Sequence, residues 1–213
     1  KTVTIIGSGL AGMSAGCYLA KNGYKVDILD KNSSCGGRLS QIESNGFIFD
    51  KGPSWYWMPD IFDNFFKDFN KQTSQFYKLE RLSPSYQFFT KQSSYQLPSN
   101  FENLCILFDK IEPGSSKNLK SFLKSAELKY KLSVKEFLNF PGQSFSEFLK
   151  PDILKNLFKI HIFTSLRKHV KKYFSNTDII KILEFPSMFL GGSPSNTPGV
   201  YSLMNFADIK GGT

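Results

Sequence analysis

Apolar and polar residues follow recognisable periods along much of this chain. Thr2-Val3-Thr4-Ile5-Ile6 is a short β-branched run of the kind that forms a central parallel strand buried on both faces. After a glycine-rich turn, Met13, Ala15, Gly16, Cys17, Leu19 and Ala20 make a compact helical segment. Lys21-Asn22-Gly23 ends it with Gly at a C-cap position. Tyr24 to Leu29 is a second apolar run that closes on Asp30. Gln41-Ile42-Glu43 and Phe47-Ile48-Phe49 alternate around Ser44-Asn45-Gly46, which predicts a hairpin. Ile61, Phe62, Phe65, Phe66 and Phe69 give 58–70 helical spacing with one buried face. Tyr86 to Thr90 and Ser94 to Leu97 predict a second hairpin around Lys91-Gln92-Ser93. From Phe101 to Ile182 the pattern is mainly helical, punctuated by Pro113-Gly114, Pro141-Gly142 and Pro151.

The turn between the first strand and the first helix is Gly7-Ser8-Gly9-Leu10-Ala11-Gly12. Each glycine of this GxGxxG spacing answers a separate need when a pyrophosphate is brought against a helix N-terminus. Gly7 allows the tight turn, Gly9 lets the backbone approach the phosphates, and Gly12 lets helix and strand pack closely. The phosphates then meet free backbone N–H groups at the positive end of the helix dipole. Asp30 follows the first glycine by about 20 residues, where a carboxylate accepts the hydroxyls of an adenosine ribose. Taken alone, GxGxxG is a weak motif. Between a strand and a helix, with a second strand ending in an acid, it predicts a dinucleotide-binding, Rossmann-like α/β domain.

Further along, Lys31-Asn32-Ser33-Ser34-Cys35-Gly36-Gly37-Arg38 resembles the second fingerprint of the flavin amine oxidase and phytoene desaturase superfamily. Paired glycines admit close backbone approach, and an Arg presents a planar fork to phosphate oxygens. Asp50-Lys51-Gly52-Pro53-Ser54 resembles the superfamily's FDxGPs segment, which lies beside the flavin end of FAD. The stretch Glu184 to Pro194, with Asn196-Thr197-Pro198 and Tyr201 to Asp208, resembles a bacterial-type phytoene desaturase. The resemblance runs from Val3 to Thr213, with its looser part between about Lys71 and Lys181. Asp30 departs from it, since the family more often has Glu there. On this resemblance the cofactor is FAD, held by Gly7, Ser8, Gly9, Leu10, Ala11, Gly12, Asp30, Lys31, Gly36, Gly37, Arg38, Gly52, Pro53 and Ser54. Residues 1–57 form the N-terminal part of a discontinuous FAD-binding domain, and 58–213 an appended mixed sheet and helical substrate region.

Family membership implies desaturation of a long isoprenoid hydrocarbon, phytoene-like, with hydride leaving to the flavin and a proton lost afterwards. Such chemistry needs positioning more than a nucleophile. No Ser/His/Asp, Cys/His or metal-ligand arrangement is found in the sequence, and no catalytic residue is assigned. Two other readings stand beside it: an FAD-dependent amine or protoporphyrinogen-type oxidase, and a noncatalytic flavin-binding protein. With no initiating Met and no element closed at Gly211-Gly212-Thr213, the chain is read as the N-terminal part of a longer one.

Composition changes the picture in two ways. The 213 residues are 40% hydrophobic and carry 27 Lys and Arg against 18 Asp and Glu, a net +9 that favours anionic partners. No nucleic-acid motif accompanies that charge. From 145 to 174, apolar positions such as Phe148, Leu157, Phe163 and Leu166 are mixed with Lys168, Lys171 and Lys172. This predicts an interfacial helix on an anionic membrane surface, the alternative being a core helix with a solvated lysine face. Cys17, Cys35 and Cys105 lack disulfide or zinc spacing, which fits a reduced cytoplasmic setting, with the predicted interfacial helix placing the protein peripheral to a membrane. Lys1 to Cys17 imitates a lipoprotein signal, but its glycines belong to the turn above. His161 and His169, eight residues apart on one predicted helix, are read as surface or packing residues, with proton transfer as the alternative. Trp55, Tyr56 and Trp57 either line a tunnel near the flavin or pack in the core.

Overall fold

The β-branched run Thr2–Ile6 forms strand β1 and pairs in parallel with β2, Lys25–Leu29, in the register Val3 with Val26 and Ile5 with Ile28. Helix α1, Leu10–Lys21, makes the crossover between them. This is a computed structural model, and it describes residues 1–53, 55–134, 144 and 160–213. Two compact units are present, Lys1–Lys78 and Leu79–Thr213.

In the first unit α1 lies on one face of the β1–β2 pair. It can do so because Gly16 has no side chain: a Cβ there would stand 3.2 Å from Ile28 Cδ1 and 3.5 Å from Ile5 Cδ1. The expected burial of Thr2–Ile6 on both faces is not met, because β1 alternates. Val3 and Ile5 are half-buried toward the helix, while Ile6 on the opposite face is 91% exposed. Among the described residues only α1 covers this sheet. Asn22 and Gly23, the latter at φ +82°, turn the chain from α1 into β2. The predicted hairpin is present as β3, Gln41–Ser44, and β4, Phe47–Asp50, turning through Asn45 and Gly46 at positive φ. Helix α2, Pro59–Asp68, starts with Pro at N1 and packs its Phe65 and Phe69 rings against Tyr18 of α1, at 5.8 and 5.1 Å.

The second unit opens with the hairpin β5, Tyr86–Phe89, and β6, Ser94–Leu97. Among the described residues the strands pair two by two, one pair parallel and two antiparallel. Helices α3, Phe101–Ile111, and α4, Ser115–Leu132, follow, with Gly114 at φ +82° making the bend. Then come α5, Leu166–Val170, α6, Thr177–Glu184, and α7, Leu203–Phe206, which runs on into a π-helical turn over Ala207–Gly211. Glu112, just past α3, accepts the backbone N–H groups of Ser175 and Asn176 and so ties α3 to the start of α6. Leu104, Phe108, Leu119, Phe122, Val170 and Ile179 are among the residues of the core. Each of the larger side chains stabilises the unit by roughly 1.5–3 kcal/mol through burial.

The predicted helix over 145–174 is described only from 160 onward, and there it is interrupted. Residues 145–159 lie outside the described residues. Of the rest, Ile160 to Thr164 form a turn, and Leu166 faces the core with no exposure. Nor do the histidines share a helix: His161 stands in the turn at φ +59° and His169 in α5, so their rings meet at 4.5 Å by tertiary packing.

His169 belongs to a buried polar group that sequence reading missed. Lys129 Nζ lies 2.7 Å from His169 Nε2 and donates to Ser202 Oγ at 2.8 Å, and Ser202 Oγ donates in turn to the carbonyl of Gly199. The helical period held the signal. Leu119, Phe122, Leu123 and Ala126 define the core face of α4, and Lys129 is the next position on it. Burial, with a smaller contribution from nearby Lys172, pushes Lys129 down to about 7. Burial, followed by Lys129, His161 and Lys172, pushes His169 down to about 3.

Both groups hold protons more weakly folded than unfolded, so the fold loses stability as pH falls. For Lys129 the loss runs from its ordinary 10.5 down to about 7, and for His169 from 6.5 down to about 3. Lys129→Met removes the first of these. Its melting temperature should stay flat between pH 9 and 7 where the parent's falls, and at pH 7 it should exceed the parent's by about 2–8 °C, the shift for one to two kcal/mol in a chain of this size. Differential scanning fluorimetry across that range checks it, and parallel curves for the two proteins would refute it.

Candidate functional site

The first turn does what the glycine spacing predicts, and each glycine has its own physical cause. Gly7 stands at φ +104° and its N–H donates to the carbonyl of Leu29 at 2.7 Å, which locks the turn to the end of β2. A Cβ on Gly12 would lie 2.0 Å from Gly7 O, so this position admits glycine alone. Gly9 is different: its φ is −75°, open to any residue, and a Cβ there would meet nothing within 4 Å. Among the described residues nothing requires glycine at that position. The open space lies at the N-terminus of α1, where Gly9 is the N-cap, no side chain caps the helix and no acidic residue stands in the first turn. The backbone N–H groups of Leu10, Ala11 and Gly12 therefore face outward without an intrahelical acceptor. These are the features of an anion cradle, and they fit a pyrophosphate.

Asp30, at the end of β2, is bound back to this turn. Its Oδ2 accepts from Ser8 N and Ser8 Oγ, both at 2.7 Å, and its Oδ1 accepts from Asn32 N at 2.8 Å and Asn32 Nδ2 at 3.0 Å. These bonds, the backbone one from Asn32 first, hold the carboxyl well below the usual carboxylate range. The role of Asn32 had no signal in the glycine spacing.

The fold then lays the second glycine pair on the first turn. Gly36 N donates to Ser8 O at 2.9 Å, and Gly36 and Gly37 both take positive φ, +104° and +59°. A Cβ on Gly37 would lie 3.2 Å from Gly9 Cα. Arg38 follows with an exposed guanidinium that makes no hydrogen bond or ion pair with another described residue, and Lys31 is exposed nearby in sequence. Lys51 N donates to Ser40 O at 2.9 Å, and a Cβ on Gly52 would come 2.8 Å from Leu39 Cδ2, so the segment after β4 packs on this same turn. Pro53 is exposed, and Ser54 lies outside the described residues. Gly7, Ser8, Gly9, Leu10, Ala11, Gly12, Asp30, Gly36, Gly37 and Gly52 are thus drawn together within one unit.

The aromatic run beyond is half-buried. Tyr56 packs on Phe62 at 4.7 Å and its hydroxyl meets that of Tyr77 at 2.5 Å, while the rings of Trp55 and Trp57 lie 6.0 Å apart. Packing is therefore the observed role of Tyr56. The cysteines are free thiols, Cys17 and Cys35 exposed and Cys105 buried, and no metal-ligating cluster occurs among the described residues. In the second unit the motif-rich end of the chain is held by a two-pronged ion pair, Arg167 to buried Glu184 at 2.8 and 2.9 Å. There too Tyr86 Oη donates to Asp208 at 3.0 Å, Thr213 Oγ1 donates to the same carboxylate, and burial pushes the Asp208 carboxyl up.

Residues 5–72 match the model of the NAD(P)-binding Rossmann-like domain. Wild-type putrescine oxidase bound to putrescine superposes with a TM-score of 0.59 at 14% identity, over 97% of this chain and 42% of that one. An oxidoreductase from Methanosarcina mazei does so with a TM-score of 0.57 at 15% identity, over 100% of this chain and 44% of that one. At those identities the likeness is one of fold. Sequence similarity reaches further. The chain is 34% identical to the carotenoid 3,4-desaturase of Haloarcula japonica over 98% of its length and 42% of that protein's. It is 34% identical to the phytoene desaturase of Fusarium fujikuroi over 100% of its length and 38% of that protein's. To the 4,4'-diapophytoene desaturase of Staphylococcus haemolyticus it is 28% identical, over 99% and 42%. The chain thus spans about two fifths of the length of the curated relatives it matches. Similarity of this extent continues well beyond the dinucleotide motif into the helical second unit, so the chain is similar along its whole length to carotenoid and phytoene desaturases, with a Rossmann-like dinucleotide-binding domain at residues 5–72.

Proposed function

We propose that this protein is an FAD-dependent oxidoreductase that desaturates a carotenoid precursor, a long phytoene-like polyene. Each cycle removes one hydride and one proton from adjacent carbons beside an existing double bond and forms a new C=C bond. FAD, when bound, supplies the two-electron acceptor for that hydride. The observation that carries the cofactor half is Gly9: a position where neither backbone conformation nor packing calls for glycine, at an uncapped helix N-terminus. The N–H groups of Leu10, Ala11 and Gly12 hold the pyrophosphate, Asp30 the adenosine ribose, and Arg38 and Lys31 supply positive charge to the phosphates. Gly36, Gly37 and the Gly52-Pro53 segment shape the wall on which the cofactor rests. The substrate half rests on the desaturase relatives, which match along the whole chain.

A hydrocarbon of this size is already free of water in a bilayer, where each CH₂ is worth about 0.8 kcal/mol, so the protein takes it up at a membrane surface. Among the described residues no helix is long and apolar enough to cross a membrane. Phe163, 83% exposed, with exposed Lys168, Lys171 and Lys172 close by in sequence, supports contact with an anionic bilayer.

Purified protein carrying flavin and mixed anaerobically with phytoene-loaded vesicles should bleach the flavin and yield a product with a longer conjugated chromophore, and no such product would sink the substrate assignment. Changing Lys168, Lys171 and Lys172 together to Glu should cut sedimentation with anionic liposomes at least tenfold, since each surface cation adds roughly 1 kcal/mol; unchanged sedimentation counts against membrane contact. The glycines make a paired test of the cofactor site. Gly9→Val should fold normally and lose at least about tenfold in FAD affinity, a change of about 1.4 kcal/mol. Gly12→Ala should instead destabilise the apoprotein by about 1–3 kcal/mol through overpacking. Absorbance at 450 nm per protein and thermal melts separate the two, and a Gly9→Val protein with its full flavin content would remove the pyrophosphate assignment.

A further inference from the structure

A carboxylate offers about four lone-pair positions to donors, and in this structure all four positions of Asp30 are filled from within the chain. The four donors are of two kinds. Ser8 N and Asn32 N are backbone groups, placed by the Gly7–Gly9 turn and by the turn after β2. Ser8 Oγ and Asn32 Nδ2 sit on side chains that rotate about χ1 and χ2, and Asn32 is exposed. One movable donor lies on each carboxylate oxygen: Ser8 Oγ on Oδ2 at 2.7 Å and Asn32 Nδ2 on Oδ1 at 3.0 Å. A ribose presents two neighbouring hydroxyls, each able to donate one hydrogen bond. If they are to reach a carboxylate whose positions are full, two donors must leave, and only two are free to do so.

We propose that the side chains of Ser8 and Asn32 are placeholders, occupying in the cofactor-free protein the two acceptor positions of Asp30 that the adenosine ribose hydroxyls take on binding. This inference rests on the reading of the site as an FAD site. Asn32 is then a positioning residue: it keeps the carboxylate aimed and the turn closed while no ribose is present, and swings away when one arrives. Binding becomes an exchange in which Asp30 keeps four hydrogen bonds throughout. The two backbone donors hold the carboxylate at the same place in both states, and its ionised form, favoured by all four bonds, is retained. The ribose consequently adds less net affinity than it would on an unfilled carboxylate, because two internal bonds are given up for it.

Asn32→Ala in the whole protein, stripped of flavin, separates placeholder from prop. The melting temperature of the apoprotein should fall by about 2–4 °C, as for the loss of one hydrogen bond in a chain of this size. FAD and ADP-ribose, which carry the adenosine ribose, should bind about three- to tenfold tighter, since one internal bond no longer has to be broken. FMN, which lacks that ribose, should bind parent and variant alike. Isothermal titration with the three ligands reads these changes, and Ser8→Ala should shift FAD and ADP-ribose in the same direction. A residue that only props the loop would lower melting temperature and affinity together, and that result overturns the proposal, as does an FAD affinity that does not move. If the parent protein binds neither FAD nor ADP-ribose, the reading of the site itself fails, and the placeholder role falls with it.

Discussion

Gly12 lies so close to the carbonyl of Gly7 that no side chain fits between them, and the arrangement of the first unit follows from this one close approach. Two backbones in contact place the N-terminus of α1 above the ends of β1 and β2. The helix's free N–H groups then face the same opening as the end of β2, where Asp30 stands. With the turn fixed, Ser8 reaches Asp30 through both its backbone and its side chain, and Gly36 and Gly37 can lie against Ser8 and Gly9. A larger residue at Gly12 would lift the helix and separate groups that are drawn from three different stretches of chain.

Charge is managed differently in the two units. In the first, the carboxylate of Asp30 stays ionised because four donors surround it, next to a helix end of the opposite sign. In the second, burial works against charge. Lys129 is enclosed with His169 and Ser202 and has no carboxylate partner among the described residues, so its amine loses protons far more readily than a surface lysine. Asp208, enclosed with Tyr86 and Thr213, holds its proton more tightly than usual for the same reason. The ion pair of Arg167 with buried Glu184 escapes this cost because its geometry is two-pronged and Arg167 remains in contact with solvent.

The motif-rich stretch near the end of the chain owes much of its composition to packing. Gly199 passes so near Thr164 and His161 that a Cβ would lie 3.0 Å from one carbonyl and 3.2 Å from the other. A Cβ at Gly192 would meet Thr197 Oγ1 at 2.9 Å. Small residues here let the turn around His161 and the loop before α7 run side by side, joined by bonds from Leu166 N to Thr197 O and from Gly199 N to Thr164 O. Residues that carry the resemblance in sequence therefore act, within this unit, as spacers between backbone segments.

Local order was legible in the sequence because it depends on near neighbours. The β-branched run at Thr2–Ile6, the glycine spacing that follows, the hairpins at Gln41–Asp50 and Tyr86–Leu97 and the helix over Pro59–Asp68 are each set by side-chain period and turn residues within a few positions. The glycines also foretold where backbone must approach backbone. Which glycine is held by conformation, which by packing and which by neither was decided only when the chain closed, because spacing carries no information about what stands opposite a missing Cβ. Likewise the period of α4 showed its buried face but not that a lysine on it would meet a histidine 40 residues away. The eight-residue separation of His161 and His169 pointed to one helix, yet the chain turns between them and the two rings meet through space. Contacts of this kind arise between residues distant in sequence, and their partners are chosen by the tertiary fold, since the local pattern is satisfied equally well whichever partner stands opposite.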